Sequence, residues 1–278
     1  MNALEIHNLS KSYGGFALQS LDLALPSGCI MGLVGENGAG KTTTIKLILG
    51  MLKADSGSIS ILGSDGCTKL AKEDIGVVLD EVGLPACLTA AQVDKIMQRI
   101  YSRWDSAQFF AYLGRLSVPT DKMFSKLSRG MKMKLGLACA LSHAPKLLIL
   151  DEATSGLDPV VRDEVIDILG DFTRSEEHSI LMSSHIVTDL EKLCDYIAFI
   201  HKGRLMLCEE KDRLYEQYGI LRCDEETLSA IEPAAIIGKR SGAFGSEVIV
   251  RRSAVPEGMQ LGHVGIEELF VFMVKEAV

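Results

Sequence analysis

The fold is decided by a stretch near the N-terminus that reads Gly35-Glu36-Asn37-Gly38-Ala39-Gly40-Lys41-Thr42-Thr43. It fits the phosphate-binding pattern G-x-x-x-x-G-K-[ST] at every fixed position. The segment before it, 29–34, is short and apolar, as expected for a buried strand, and the segment after it, 44–49, has helical spacing. We therefore predict a strand, a glycine-rich loop and a helix, in that order. A chance match in an unrelated loop is disfavoured because both flanking segments agree with the pattern.

The chemistry of this loop is phosphate binding. Its glycines let the backbone curl so that consecutive N–H groups point at a phosphate chain, and the following helix adds its positive N-terminal end. Lys41 supplies a mobile cation, and the hydroxyl of Thr42 is suited to a magnesium ion that bridges the outer phosphates. Asn37, Ala39 and Thr43 complete the predicted nucleotide-binding set within the loop. The stretch thus predicts a site for ATP and Mg²⁺.

Composition limits the class of protein. The chain has 278 residues, enough for one large domain or for one domain with a smaller appendage. Hydrophobic residues make up 47% and charged residues 24%, which is ordinary for a folded globular protein. The net charge of −8 disfavours a nucleic-acid partner, because binding nucleic acid needs a basic face that displaces counterions from phosphates.

The cysteines and the N-terminus bear on the compartment. Seven cysteines include no C-x-x-C pair, which argues against a zinc site or a redox motif. The first residues lack a basic region followed by an apolar run, and no run reaches about 18 apolar residues, so neither a secretory signal nor a membrane span is predicted. We expect a cytoplasmic chain.

Short apolar segments alternate with helical patterns along the sequence. Two antiparallel strands are predicted at 4–9 and 16–25, around a turn at 13–15. Further segments are predicted as strands at 75–79, 147–150, 179–182 and 196–200, as helices at 160–172 and 186–194, and as a helical insert from 88 to 116. The alternation predicts an α/β fold with a mostly parallel core sheet covered on both faces.

A second chemical element follows the apolar strand at 147–150. There Asp151 and Glu152 end the strand, and ligands in such folds collect outside the carboxyl ends of parallel strands. Asp151 would hold magnesium, directly or through water, and Glu152 would orient or deprotonate an attacking water. A solvated acidic pair is the plainer alternative, and the phosphate loop upstream favours the functional interpretation.

Further motifs then occur in the order found in one known family. The sequence resembles the nucleotide-binding subunit of ATP-binding cassette (ABC) transporters, with a P-loop NTPase fold. The family's signature motif, L-S-G-G-Q, corresponds to Leu127-Ser128-Arg129-Gly130-Met131, and the loop that links two nucleotide sites corresponds to Ser155-Gly156-Leu157-Asp158. The switch histidine, which contacts the γ-phosphate, matches His185, and the aromatic residue that stacks on adenine matches Tyr13.

The resemblance implies a site shared between two subunits. Ser128 and Gly130 would contact the ATP held by the opposite subunit, so that two cassettes enclose two nucleotides. Three of these residues also have a structural alternative. Ser128 could only cap a helix, His185 could be a structural histidine, and Tyr13 could be a turn tyrosine.

Several positions depart from the family pattern. Arg129 replaces a glycine and Met131 a glutamine within the signature motif, and Ala153 replaces a proline after the acidic pair. Asp80 takes the place of a glutamine that links magnesium and the attacking water to the transport partner. A carboxylate there would favour a magnesium-bound water and would crowd Asp151 and Glu152. The alternative is that Asp80 only turns the loop toward the helical insert.

The domain organisation expected from the sequence is an ABC ATPase domain at 1–210, with its helical insert at about 85–140, and a small C-terminal α/β appendage at 211–278. In the appendage we predict a strand at 219–223, a short helix at 225–231, a hairpin at 235–251 and a final helix at 266–275. The appendage is either a packing extension or an element that regulates or strengthens dimer contact.

The function implied by the resemblance is an ATPase that closes as a dimer, homomeric or heteromeric, around two ATP molecules and drives a separate membrane permease. Its short helical insert suits an exporter, and its place would be the inner face of the cell membrane. The alternatives are an ABC ATPase without transport activity, such as an iron–sulfur assembly subunit, and a nucleotide-binding regulatory module.

Overall fold

The computed structural model of the chain describes residues 1–66, 72–242, 245–256 and 259–276. The chain divides into two units, Met1–Leu207 and Cys208–Val278. The domain limits predicted from the sequence, 1–210 and 211–278, remain predictions. Within the described residues, no helix combines the length and the apolar content that crossing a bilayer would require.

The first unit begins with an antiparallel sheet. Its strands are β1 (Asn2–Tyr13), β2 (Phe16–Pro26), β4 (Ser56–Ile61) and β5 (Ser64–Asp65), in the spatial order β2-β1-β4-β5. β1 and β2 pair from Tyr13 opposite Phe16 to Asn2 opposite Pro26. Alternate residues of β2, such as Leu21 and Leu23, are buried, because one face of this sheet covers the core. The antiparallel N-terminal strands predicted from the alternating pattern are confirmed.

A second sheet forms the centre of the first unit. Its strands are β3 (Ile30–Val34), β6 (Ile75–Val78), β7 (Leu147–Asp151), β8 (Ser179–Ser183), β9 (Tyr196–His201) and β10 (Arg204–Glu210), in the order β10-β9-β3-β8-β7-β6. β3, β8 and β7 run parallel, as do β3 with β9 and β6 with β7. Because these parallel strands end at the same edge, the loops after β3, β7 and β8 meet there.

Helices follow the parallel strands and cover the sheet. They are α1 (Lys41–Ile48), α2 (Ala90–Ile100), α3 (Ser106–Arg115), α4 (Arg129–Leu141), α5 (Pro159–Phe172) and α6 (Val187–Leu193). The start of α5 is set locally, since the Asp158 carboxylate accepts the Val161 N–H at 3.1 Å and Pro159 occupies the first helical position.

The helical insert contains two helices where the sequence pattern was continuous from 88 to 116. Asp105 caps a new helix by accepting the N–H of Gln108 at 2.9 Å, so α2 ends and α3 begins. The buried carboxylate of Asp94 holds the corner together, accepting from Trp104 Nε1 at 2.8 Å and from Ser106 Oγ at 2.6 Å. The break therefore depends on capping and burial that the spacing of apolar residues does not report.

The second unit is a small α/β element. It contains α7 (Lys211–Gln217), β11 (Tyr218–Cys223), α8 (Glu225–Ser229), β12 (Ile236–Gly242), β13 (Gly245–Arg251) and α9 (Ile266–Glu276). Its antiparallel sheet has the order β11-β13-β12, and Leu221, Val248 and Val250 lie in its core. The predicted hairpin at 235–251 is confirmed in its two strands, while its turn residues Ala243 and Phe244 lie outside the described residues.

Candidate functional site

The glycine-rich loop forms a tight cradle between β3 and α1. Gly40 has φ of +118°, a left-handed conformation that a side chain would strain, and a Cβ there would lie 3.1 Å from Phe16 Cζ. At Gly35 a Cβ would lie 2.5 Å from the carbonyl oxygen of Ile200, at the end of β9. The glycines are therefore required by conformation at one position and by close approach at the other.

Lys41 lies across this loop. Its Nζ donates to the carbonyl oxygen of Gly35 at 2.6 Å and to that of Glu36 at 3.4 Å. The side chain is buried, and its ammonium is 3.7 Å from Glu152 Oε1. A buried cation with carbonyl and carboxylate partners is held ready for the negative charge of a phosphate.

A cavity of about 740 Å³ opens beside the loop. The predicted site residues that line it are Tyr13, Gly35, Asn37, Gly38, Gly40, Lys41, Thr42, Thr43, Asp80, Glu152 and His185. Four other residues that line the cavity were not among the predicted site residues: Phe16, Glu36, Arg129 and Ser155. The structure thus brings most of the predicted set into one place.

Four predicted residues lie elsewhere. Ala39 is a buried residue of the loop itself, and its carbonyl oxygen accepts the N–H of Gly203 at 2.9 Å. Asp151 is buried at the end of β7, and Ser128 and Gly130 belong to the start of α4. None of the four is among the residues that line the described cavity.

Asp151 and Glu152 are fixed by Ser183 at the end of the neighbouring strand. Ser183 Oγ donates to Asp151 Oδ1 at 2.6 Å, and the Glu152 N–H donates to Ser183 Oγ at 3.1 Å and to its carbonyl oxygen at 3.2 Å. Ser183 was missed as a site residue, although it stands two positions before His185. Its role follows from the pairing of β7 with β8, which sets Asp151 beside it.

Glu152 combines an uncommon backbone conformation with several side-chain contacts. Its φ of +54° places a residue with a side chain in the left-handed region, which costs free energy and which six other non-glycine residues of the described chain, such as Asn8 and Lys202, also adopt. Its Oε2 lies 2.6 Å from His185 Nδ1 and also accepts the His185 backbone N–H at 3.3 Å. One carboxylate therefore contacts both the Lys41 ammonium and the His185 ring.

The mouth of the cavity carries two aromatic rings. Tyr13 is 40% exposed, and its ring stacks on that of Phe16 with centroids 6.4 Å apart and an angle of 30° between planes. Both rings line the cavity, so they offer a flat apolar surface for a nucleobase. Phe16 could have been found from the sequence, since it follows Tyr13 directly across a two-glycine turn.

The signature segment, residues 127–131, lies at the start of α4. Ser128 caps α4, its Oγ accepting the N–H of Met131 at 3.3 Å. A Cβ on Gly130 would be in ordinary contact with Leu157 Cδ2 at 3.4 Å. Arg129 Nη2 lies 2.5 Å from Asp80 Oδ1, so the carboxylate assigned from the sequence to magnesium contacts a guanidinium. Its magnesium role and its crowding with Asp151 and Glu152 stay predictions.

The donor set suits Mg²⁺ bound mainly by phosphate. Among the described residues there is no group of three or more His, Cys, Asp or Glu side chains placed to hold a metal. Mg²⁺ in nucleotide sites is held by one or two protein oxygens together with phosphates and waters. The Thr42 hydroxyl at the cavity and the buried Asp151 carboxylate fit that chemistry.

Comparison with known proteins identifies the family. A protein-family model described as ABC transporter matches residues 18–155. The lantibiotic transport ATP-binding protein SrtF of Streptococcus pyogenes is 37% identical over 212 residues, which cover 75% of this chain and 91% of that protein. The chain belongs to the ABC transporter family. This ABC ATP-binding protein is also 37% identical over 206 residues to the bacitracin transport ATP-binding protein BcrA of Bacillus licheniformis, covering 72% and 67% of the two chains.

Another relative extends over more of this ABC ATP-binding protein. The linearmycin resistance ATP-binding protein LnrL of Bacillus subtilis is 30% identical over 271 residues, covering 94% of this chain and 86% of that protein. Among solved structures, an ATP-binding subunit of an ABC transporter matches with 26% identity and a TM-score of 0.68, covering 76% and 91% of the two chains. A dimeric post-hydrolysis cassette, MJ0796 with ADP and Pi, is 20% identical with a TM-score of 0.68, covering 74% and 98%, and it supports the fold alone.

The resemblance and fold class predicted from the motifs are therefore confirmed. The chain belongs to this family and its relatives SrtF and BcrA are transport ATP-binding proteins, so ATP binding and hydrolysis in transport are the function of this ABC ATPase. These relatives favour a transporter subunit over an iron–sulfur assembly protein or a regulatory module.

Proposed function

We propose that this chain binds ATP between the Tyr13 and Phe16 rings and the phosphate loop and hydrolyses it at Glu152. The observation that carries the proposal is the position of the Glu152 carboxylate, in contact with both Lys41 and His185 at the wall of the cavity. A carboxylate there can accept a proton from a water that attacks the terminal phosphate.

Each side-chain contact at the site suggests a task. Lys41 exchanges its contacts with the Gly35 and Glu36 carbonyl oxygens for the outer phosphates. His185 keeps the Glu152 carboxylate in place through Nδ1 and directs its remaining ring nitrogen to the γ-phosphate. The adenine stacks at the Tyr13 ring, and the loop N–H groups of residues 35–43 surround the phosphates.

Magnesium is part of this proposal. Mg²⁺ supplies positive charge that offsets the charge developing on the phosphate oxygens. Thr42 would hold it through its hydroxyl and Asp151 through its carboxylate, which Ser183 orients by its 2.6 Å hydrogen bond. Asp80 remains a candidate to hold one of its waters.

Two partners belong to this function. The first is a second ATP-binding subunit, identical or related, because Ser128 and Gly130 lie outside the cavity of their own chain and suit the nucleotide of another. The second is a separate transmembrane permease, because the relatives SrtF and BcrA are transport ATP-binding proteins. We infer a location on the cytoplasmic face of the membrane.

The helical insert offers the docking surface for the permease. A groove of about 220 Å³ lies between α2 and the loop after β6, lined by apolar side chains that include Val82, Met97 and Tyr101. Ile100, at the end of α2, is exposed. Exposed apolar side chains beside an apolar groove favour a protein partner.

We infer export as the direction of transport. The names of three relatives concern a lantibiotic, bacitracin and linearmycin resistance, and we propose a compound of this kind as the cargo of the permease. The second unit, Cys208–Val278, is either a packing extension or an aid to pairing.

The test of the proposal is ATP binding and hydrolysis by the full chain and by Lys41→Ala. Losing the buried ammonium should weaken ATP binding about tenfold or more, because charge-assisted contacts to phosphate are lost. Lys53→Ala is the matched control, since Lys53 is exposed and does not line the cavity. Equal ATP affinity in both variants would refute the site.

A further inference from the structure

Two departures from the family pattern meet in the structure. Arg129 replaces the third residue of the signature motif, and Asp80 replaces the glutamine after β6. They are 49 residues apart in sequence, yet Arg129 Nη2 lies 2.5 Å from Asp80 Oδ1. Each replacement alone introduces a charge, and together they form an ion pair.

This ion pair is part of the nucleotide cavity. Arg129 and Asp80 both line it, together with Lys41 and Glu152. The Arg129 side chain also lies over Gly156, where an added Cβ would be 3.7 Å from Arg129 Cδ. Arg129 therefore connects three loops, those that carry the signature motif, Asp80 and Gly156.

The pair is built to exchange partners. The side chains of Arg129 and Asp80 are 62% and 50% exposed, and their contact joins one guanidinium nitrogen to one carboxylate oxygen. Exposed ion pairs of this kind contribute little to stability. A guanidinium can instead hold a phosphate through two parallel hydrogen bonds, which is a stronger contact.

The position of Arg129 on its helix points to the same ligand. Arg129 is the first residue of α4, where the helix dipole favours a negative group, and the first turn of α4 contains no acidic residue. Lys132 follows one turn later and lies over the Phe124 ring at 5.1 Å. The start of α4 thus gathers positive charge at the edge of a cavity suited to phosphate.

We propose that Arg129 binds the terminal phosphate of ATP and that Asp80 is the counter-ion that holds its guanidinium at the cavity wall until this phosphate arrives. The inference rests on the proposed ATP site and adds a residue to it. When the phosphate takes the guanidinium, the Asp80 carboxylate is released and becomes free to turn to a magnesium-bound water. The phosphate can belong to ATP in the same cavity or to ATP held by a second copy of the chain.

The first experiment compares ATP with ADP, using fluorescent analogues, full-length protein and no magnesium. Arg129→Gly should weaken ATP binding about tenfold, because a contact to the terminal phosphate is lost, and should leave ADP binding within about twofold. The ATP affinity of Arg129→Lys should lie between those of the parent and Arg129→Gly, since lysine keeps the charge but lacks the planar guanidinium. Arg174→Gly is the matched control, because Arg174 forms an exposed ion pair with Asp171 and does not line the cavity.

The second experiment tests the counter-ion. Asp80→Asn should strengthen magnesium-free ATP binding several-fold in the parent chain, because the guanidinium is released, and should have no such effect in the presence of Arg129→Gly. The same gain with and without Arg129 would overturn the counter-ion role of Asp80. Circular dichroism establishes folding, and Arg129→Gln replaces Arg129→Gly if the glycine disturbs α4.

Protein concentration separates the two sources of phosphate. Loss of ATP affinity in dilute, monomeric Arg129→Gly places the phosphate in the same chain, and loss confined to ATP-driven pairing places it across two copies. The inference would be overturned if ATP affinity, ADP affinity and ATP-driven pairing of Arg129→Gly all match the parent, or if the ATP and ADP affinities fall equally. If Lys41→Ala abolishes ATP binding while Arg129→Gly alters neither ATP binding nor ATP-driven pairing, the ATP site stands and the Arg129 role fails.

Discussion

At the phosphate-loop end of the site, the Glu152 side chain is 15% exposed and its carboxylate contacts both Lys41 and His185. At the signature end, the side chains of Arg129 and Asp80 are 62% and 50% exposed and contact each other. The first end also carries a left-handed backbone at Glu152, which the surrounding hydrogen bonds to Ser183 hold in place. The second end has an ordinary helix start, capped by Ser128.

The difference separates a preorganised half-site from one that needs a partner. Strained backbone and buried charge persist only where the surroundings fix them, which suits the groups that act on the reacting atoms. Exposed side chains at a helix start can rearrange at little cost, which suits a surface that closes on a nucleotide and on a second subunit.

The largest expected effect lies at the preorganised end. Glu152→Gln removes the charge that would accept a proton and should lower ATP turnover about 100-fold or more. The amide keeps nearly the same size, so ATP binding should persist and the protein should be trapped as an ATP-bound pair.

The measurements for Glu152→Gln are steady-state hydrolysis and gel filtration with and without ATP. Glu177→Gln is the control, since it removes an exposed carboxylate away from the cavity. Unchanged turnover in Glu152→Gln would break the comparison, because the constrained end would then have no special role.

A smaller effect on ATPase activity is expected from a substitution at the signature end, and this effect should depend on the pairing of two subunits. Gly130→Asp adds an acidic group in the first turn of α4, which suits the helix dipole but repels a partner's phosphate. Gly130→Ala is the control, because its Cβ has room, at 3.4 Å from Leu157 Cδ2.

Specific activity of the parent chain and of Gly130→Ala should rise with protein concentration. In Gly130→Asp this rise should be lost, while ATP binding by the dilute chain stays near the parent value. Activity independent of concentration in the parent chain would show that one copy suffices, and the proposed division into two half-sites would be wrong.

The smallest expected effect concerns His143, which follows the C-terminal end of α4, and the pH dependence of stability. β6 and α4 are joined near one end by the exposed Arg129–Asp80 pair and near the other by buried His143, whose Nε2 lies 3.2 Å from the Ile75 carbonyl oxygen. Burial lowers the pKa of His143 below its usual value, against the opposite effect of the Ile75 and Cys139 carbonyl oxygens.

Because the folded pKa of His143 is lowered, the unfolded chain takes up this proton first as pH falls. The contribution of neutral His143 to stability is complete above about pH 6.5 and is lost progressively below it. In denaturant unfolding, His143→Gln should therefore lose less stability on acidification than the parent. His7→Gln is the control, because His7 is an exposed histidine. If the free energy of unfolding depends on pH equally in His143→Gln and in the parent, His143 does not titrate in this way.

Much of the fold could be predicted because its signals are local. The alternation at 16–25 gives β2, the apolar run before Asp151 gives β7, and the glycine-rich loop gives the strand–loop–helix unit around Gly35–Thr43. The corner at Trp104 and Asp105 could not be read from periodicity, because a capping carboxylate and the buried Asp94 decide it.

The sequence by itself determined the phosphate loop, the order of the motifs and the resemblance to ABC ATP-binding subunits, because consecutive residues carry the conformations that these motifs need. Only the tertiary structure decided that Ser183 orients Asp151, that Glu152 contacts both Lys41 and His185, and that Asp80 contacts Arg129. These contacts join residues that are brought together by the order of strands in the parallel sheet and by the packing of α4 on β6. The spacing of residues along the chain does not specify which residue from a distant segment a side chain will contact.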